Sequence, residues 1–347
     1  MNTVDLILIQ RHILGLSRFD SPYKVIAADT DNDGRITGAD LVELRKLILG
    51  VTSSFPNGQQ AWRIPVKSQI FVNPTNPFPF DETINISNLQ ENVDGQDFVA
   101  VKIGDVNDSS TASLTEGDLD SRSSRTLELS VEDQELSAGD YITIPVTAQN
   151  MVDVVGLQST ISFNTAHLEF EGIIPEALNL TEANLGLQNA GSGYVSLSWN
   201  ELNGVTLDPN TVLFEIAFNV VEDATLSEQF FLSSAQTTSE AYTGSMETVS
   251  LKLNFEGAEY EEFILFQNIP NPFADNTEVR FSLPGQSDVT LTVFDVAGRE
   301  LMRKVSNYEG GSHTILLNSG ELSSTGVMYY KLETAYGTAS RRMIQIR

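Results

Sequence analysis

Residues 29–40 read Asp-Thr-Asp-Asn-Asp-Gly-Arg-Ile-Thr-Gly-Ala-Asp. Oxygen-bearing side chains fall at positions 1, 3, 5, 9 and 12 of the stretch: Asp29, Asp31, Asp33, Thr37 and Asp40. Arg35 at position 7 adds its backbone carbonyl, and Gly34 at position 6 lets the chain turn sharply. A hard dication takes six or more oxygens at about 2.3–2.6 Å, and this spacing wraps them around one point. The pattern predicts a calcium loop, with Ile36 as its apolar anchor. A surface turn would use the same residue types but would not need them in register. Position 12 is Asp40, where Glu is usual, so the loop must close more tightly.

The chain after the loop, from Asp40 to Leu49, has apolar residues at helical spacing and stops at Gly50. The same phrase begins at Asp5, offset by 35 residues: Asp5, Leu6, Ile13, Leu14 and Gly15 recur as Asp40, Leu41, Ile48, Leu49 and Gly50. This is an internal duplication, each copy a loop followed by a helix. A loop ending in Asp and a helix ending in Ile-Leu-Gly, twice over, resembles the dockerin family across residues 1–52. The resemblance implies a calcium cofactor and a protein partner of the cohesin type. It also implies that Gly38, Ala39 and the exposed helix face around Arg45 contact that partner.

Counting back from Asp5 puts Asn2 at position 9, and the earlier positions of the first loop precede Met1. The reading is therefore of a truncated chain, without a signal peptide, whose first site lacks its main carboxylates and is not expected to form. By the same resemblance a catalytic domain is expected upstream. Asp105 and Asn107 echo positions 1 and 3 of a loop, although Ser110 stands where the Gly should be. They are expected to dock near the broken site.

Residues 53–107 form a Pro-rich extension whose Pro-Phe pairs suit extended chain packed on a neighbour. Trp62 is expected to anchor this extension on the helices, with a sugar contact as the alternative. Residues 108–124 are Ser, Thr, Asp and Gly with little apolar content, the composition of a linker.

From Thr126 the apolar period changes to two. Runs at 127–131, 142–146, 155–163, 195–199 and 212–220, with turn signals between them, predict a β-sandwich. Their order over 125–257 resembles cohesin and related carbohydrate-binding sandwiches. Trp199 is expected in the core or on a sheet face, with a sugar platform as the alternative. This segment is strongly acidic: residues 125–260 carry 20 acidic and 2 basic side chains in a chain of net charge −27. Such a surface repels phosphate, which argues against nucleic acid.

Residues 263–347 are charge-balanced, with 8 acidic and 8 basic side chains. The prolines at 270 and 272 cannot donate to a ladder and mark an extended entry to a second, Ig-like β-sandwich. Several phrases occur in order: Pro270-Asn271-Pro272-Phe273, Phe281-Ser282-Leu283-Pro284, an Asp-turn at Gly298, Tyr329-Tyr330 and a basic terminal strand. Together they resemble the C-terminal sorting domain of the type IX secretion system. That resemblance implies export across the outer membrane, attachment to the cell surface or release, and the secretion machinery as a partner.

Other classes find little support. There is no Cys, hence no disulfide framework or thiol nucleophile. His12, His167 and His313 share no metal spacing, and no run of 18 apolar residues could span a membrane. No hydrolase elbow, zinc His pair or P-loop is present. The expectation is a mainly β, multidomain, non-catalytic protein: an α-helical calcium-loop part, a cohesin-like sandwich and an Ig-like sandwich. Its expected role is calcium-braced protein–protein interaction. The alternatives are a carbohydrate-binding accessory module acting on polysaccharide, and the end of a longer polysaccharide-degrading enzyme.

Overall fold

A computed structural model describes residues 1–87, 91–109, 125–257, 263–322 and 325–346. The linker expected at 108–124 lies almost wholly outside the described residues. No helix is long and apolar enough to cross a membrane, among the described residues.

Three helices open the chain: α1 (Thr3–Ile13), α2 (Pro22–Ala28) and α3 (Gly38–Ile48). The duplicated sequence gives duplicated caps. Asn2 and Thr37 are the N-caps of α1 and α3, and Asp5 and Asp40 each reach back to the cap backbone to complete a capping box. Leu6, Ile9, Ile26, Leu44 and Ile48 form a small core between the helices. The following extension closes it with Phe55, Val101, Ile103 and Val106, and carries one short antiparallel pair, β1 (Trp62–Arg63) with β2 (Val101–Lys102). Trp62 itself is exposed, with the Lys102 ammonium 5.9 Å from its ring centre.

The central sandwich runs β3 (Thr126–Glu132), β4 (Glu135–Leu136), β5 (Tyr141–Ala148), β6 (Val154–Phe163), β7 (Leu168–Pro175), β8 (Leu185–Gly186), β9 (Tyr194–Val205) and β10 (Thr211–Val220). It continues through β11 (Ala224–Thr225), the one-turn α4 (Leu226–Gln229), β12 (Phe230–Ser233), β13 (Glu240–Thr243) and β14 (Thr248–Glu256). Hydrogen-bonded order is β7-β10-β5-β3-β14-β13-β6-β9-β8, with β12 also on β6 and a separate β4–β11 pair. The β3–β14 pair is parallel and the other pairs of this order are antiparallel. Alternate residues point inward as the period of two requires. Leu157, Ile161 and Phe163 of β6 meet Leu197 and Trp199 of β9 and Ile216 and Phe218 of β10 in one core. Trp199 is therefore a core residue, 3% exposed.

The last part is a two-sheet sandwich. One sheet is β15 (Ile264–Leu265), β16 (Asn276–Leu283) and β19 (Gly311–Asn318). The other is β18 (Glu300–Tyr308), β17 (Ser287–Asp295), β20 (Gly326–Thr334) and β21 (Gly337–Gln345). Phe273, Phe281, Leu291, Tyr330 and Met343 share its core. The Pro-Asn-Pro-Phe phrase pairs with the chain end: Ile344 N–H donates to Asn271 Oδ1, and Phe273 N–H donates to the Ile344 carbonyl, both at 2.9 Å. Gly298, at φ +78°, follows Asp295, whose Oδ1 accepts the N–H groups of Ala297 and Arg299. Tyr329 is half exposed, and Tyr330 is fully buried.

Candidate functional site

The loop before α3 gathers its carboxylates. Oxygens of Asp29, Asp31 and Asp40 lie within 4.8 Å of one another. The backbone is shaped for this. Asp29 accepts the N–H groups of Asp33 and Gly34, both at 3.1 Å, and Asp40 accepts those of Thr30 at 2.8 Å and Thr37 at 2.7 Å. Asn32 takes the left-handed conformation at φ 61°, and Gly34 follows at 77°. Asp33 Oδ1 accepts the Arg35 N–H, and Thr37 Oγ1 accepts the Ala39 N–H as the helix cap. Burial pushes the Asp29 carboxyl up to about 6, and the neighbouring Asp40 and Asp31 carboxylates add to this. Burial also raises Asp40. Bringing like charges together out of water is unfavourable unless a cation joins them, so this donor set fits a hard dication.

The extension braces this loop with residues that no spacing rule singles out. Gln59 Nε2 donates to the Asp29 carbonyl and Asn57 Nδ2 to the Asp31 carbonyl, each at 2.7 Å. Arg63 reaches Asn32 Oδ1 and is held by a two-oxygen contact with Glu82, the shortest arm 2.8 Å.

The first copy is completed from the far end of the extension. Asp5 Oδ1 accepts the Val106 N–H at 2.9 Å, as Asp40 Oδ1 accepts that of Thr30. Asp5 Oδ2 accepts the Asn2 N–H, as Asp40 Oδ2 accepts that of Thr37. Ser109 N–H bonds to Asp105 Oδ1 and Asn107 Oδ1, as Asp33 N–H bonds to Asp29 Oδ1 and Asp31 Oδ1. Asp108, at φ 57°, occupies the place of Asn32. Residues 105–109 thus stand for positions 1–5 and residues 2–5 for positions 9–12 of one loop, split between the two ends of the helical part. Burial raises the Asp5 carboxyl to about 6, with Asp105 contributing.

The second feature is a sheet face covered by the helices. On the outer side of β6 and β9, Gln158 and Ser198 are polar yet buried. Thr3 lies over both: its N–H and hydroxyl bond to Gln158 Oε1 at 2.8 and 2.9 Å, and its hydroxyl is 2.8 Å from Ser198 Oγ. Beside them Val4 and Ile7 of α1 pack on Val155 and Tyr242 in an apolar cluster. A Cβ at Gly156 would stand 3.1 Å from the Thr3 methyl and 3.2 Å from Ile7 Cδ1, so the missing side chain lets α1 approach.

Helix α3 contributes its C-terminal end, where carbonyls lack intrahelical donors. Thr237 Oγ1 donates to the Ile48 carbonyl at 2.6 Å and Ser196 Oγ to the Leu49 carbonyl at 2.5 Å. Asn200 joins the two copies: its Nδ2 donates to Gln10 Oε1, and its Oδ1 accepts from Arg45. Gln10 and Arg45 are equivalent positions, 35 residues apart.

Of the three residues expected at a partner surface, Arg45 touches the sheet. Ala39 is exposed, and a Cβ at Gly38 would meet nothing within 4 Å. Their first-copy counterparts, Thr3 and Val4, make the contact instead. The sequence signal was Leu6-Ile7-Leu8-Ile9, four apolar residues in a row. Such a run wraps a helix all round and demands burial on two sides.

Family models match three parts of the chain: a dockerin type I domain over residues 1–49, a cohesin domain over 127–255 and a secretion system C-terminal sorting domain over 268–346. Among solved structures, the sandwich is similar to the sixth cohesin of Acetivibrio cellulolyticus scaffoldin B in complex with a dockerin. That likeness is at 14% identity and TM-score 0.31, covering 37% of this chain and 94% of that one. It is also similar to a type I cohesin of Pseudobacteroides cellulosolvens, at 12% identity and TM-score 0.30, covering 38% and 88%. A non-cellulosomal cohesin of Archaeoglobus fulgidus matches at 16% and 0.27, covering 37% and 86%. No curated protein matches the chain. The chain is a mainly β protein made of dockerin-type repeats, a cohesin-type sandwich and a sorting tail. That make-up supports a secreted protein-interaction module, and dockerin and cohesin modules are not themselves catalytic.

Proposed function

We propose that this protein is a calcium-braced protein–protein interaction module, non-catalytic over its whole described length, delivered to the cell surface or medium by the type IX secretion machinery. Its working parts are the helical repeats of 1–52 with the 53–107 extension, a 108–124 linker, the 125–257 sandwich and the 263–347 sorting domain. The contact of Thr3 with Gln158 and Ser198 carries the reading, because it sets a dockerin-type helix on a cohesin-type sheet. Calcium would be held by Asp29, Asp31, Asp33 and Asp40, with the Arg35 carbonyl and Thr37 completing the set. It would supply the positive charge that keeps the loop closed and the N-terminus of α3 fixed. Polysaccharide is the weaker reading: Trp199 is packed in the core, and Trp62, exposed instead of anchoring the extension, is a single ring with the Lys102 ammonium over it.

Calorimetric titration of the full chain with calcium tests the proposal. Binding is expected, and Asp31→Ala should weaken it at least tenfold by removing one charged ligand. The number of ions bound reports whether the split loop around Asp5 and Asp105 also takes one. Absence of calcium binding, or unchanged affinity in Asp31→Ala, would contradict the proposal.

A further inference from the structure

The helices and the sheet they cover belong to one chain. The cover is specific in three independent ways: the polar pair Gln158 and Ser198 under Thr3, the apolar cluster of Val4, Ile7, Val155 and Tyr242, and the carbonyls of Ile48 and Leu49 met by hydroxyls. The backbone approach is close enough that a Cβ at Gly186 would stand 2.4 Å from the Leu49 carbonyl. Only residues 108–124 separate the two parts in sequence, and a tether of that length gives an effective concentration on the order of millimolar. A helix from another molecule at micromolar concentration then competes at a disadvantage of about a thousandfold, even with identical contacts.

We propose that the protein recognises itself in cis: its own repeats occupy the β6–β9–β13 face of its own sandwich and close that face to the repeats of other molecules. This deepens the function proposed above, and rests on it, by naming the occupant of the interaction surface. The partner that can use the face in trans is a second copy of this chain whose own helices have been displaced. The wild-type protein is therefore a self-capped monomer.

Two full-length variants, each broken on one side only, test this. Ile7→Asp puts a charge on the outer face of α1 and leaves Leu6 and Ile9 in the helical core. Ser198→Glu puts a charge on the outer face of β9 and leaves the sandwich interior untouched. Each alone should be a monomer by light scattering. Mixed at tens of micromolar, the two should form a 1:1 complex, because one offers a free sheet and the other free helices. Wild-type chain should capture tagged Ile7→Asp at least a hundredfold more weakly than Ser198→Glu does. Equal capture by wild type and Ser198→Glu would overturn the proposal.

A second readout uses the wild-type chain with a protease site inserted between residues 108 and 125. After cleavage in calcium the two pieces should co-elute, and the same cut in the Ile7→Asp chain should release them. Separation of the wild-type pieces, with calcium binding and the sandwich melting transition intact, would overturn cis recognition while leaving the calcium-braced interaction module standing.

Discussion

The carboxylate of Asp5 accepts the backbone N–H of Val106, 101 residues further along the chain, at 2.9 Å. Asp40 makes the same bond to Thr30 within a continuous loop. A carboxylate that holds two backbone N–H groups orders both segments, and the donors are costly to leave unpaired once buried. Asp5→Ala should orphan the Val106 and Asn2 amides and remove a capping box. We expect a loss of about 1–3 kcal/mol, read as a lower denaturant midpoint for the helical part. Faster hydrogen exchange at Val106 should accompany it. An unchanged midpoint would mean that the split loop is not a structural joint.

The Arg63–Glu82 pair holds the Asp29–Asp40 loop from outside. Arg63 donates to both Glu82 oxygens, stacks over Phe80 at 4.6 Å and reaches Asn32. Glu82→Ala removes no metal ligand, yet it should free Arg63 and weaken calcium binding by several-fold. Forked pairs of this kind are among the stronger side-chain contacts, on the order of 1–3 kcal/mol. Calcium calorimetry of Glu82→Ala against Asp31→Ala separates bracing from ligation: the first should bind weakly, the second much more weakly.

Glu278 couples the sorting domain to the sandwich. It is 2% exposed and accepts the Ser234 N–H at 2.7 Å through Oε1. Burial raises it from 4.5 to about 7. The folded state therefore holds this proton more tightly than the unfolded state does. Its contribution to stability is fully present below about pH 4.5 and is lost as pH rises through 7. Glu278→Gln should remove that loss. The difference in stability between variant and wild type should move in favour of the variant by on the order of 3 kcal/mol from pH 4 to pH 8. Thermal melts across that range measure it, and a flat difference would contradict the assignment.

Tyr330 anchors the entry to the last sandwich. Its hydroxyl accepts the Asn268 N–H at 2.8 Å and donates to the Phe266 carbonyl at 2.7 Å, with the ring fully buried. Tyr330→Phe keeps the ring but leaves both backbone groups without their partner. A cost of about 1–3 kcal/mol is expected in the melting of this domain.

Much of this architecture is legible in the sequence because it is local. The loop from Asp29 to Asp40 and the period-two strands of the sandwich depend on neighbours within a dozen residues. The phrases of the sorting domain are legible through family likeness rather than physics, since nothing in Pro270-Asn271-Pro272-Phe273 announces its pairing with Ile344. Three features are not local. The split loop joins Asp5 to Val106 across the whole extension, so the first copy looks broken when read in order, and Asp105 and Asn107 are only an echo. Strand β6 reads as half solvated, with Gln158, Ser159, Thr160 and Ser162 polar, yet all ten of its residues are buried because other parts of the chain cover its outer side. The helix that lays its apolar face on the sheet is the first copy, while the second reaches the sheet with Arg45 and its C-terminal end. In α3 the equivalent of Ile7 is Val42, 52% exposed, and the Leu8 equivalent is Glu43. The asymmetry between the copies marks which one docks, but only once a covered face is known to exist.

In the proposed arrangement the repeats and the sandwich of one molecule grip each other. The chain contains no Cys, so a single engineered pair reports on that contact without background. Thr3 and Ser198 bring their hydroxyls to 2.8 Å, close enough for the two side chains to be bridged. The measurement is oxidation of the full-length Thr3→Cys, Ser198→Cys double variant in calcium, followed by non-reducing electrophoresis. Near-complete formation of a monomeric, faster-migrating species is expected at dilute protein. Free thiols that persist, or disulfides that appear only in dimers, would contradict it.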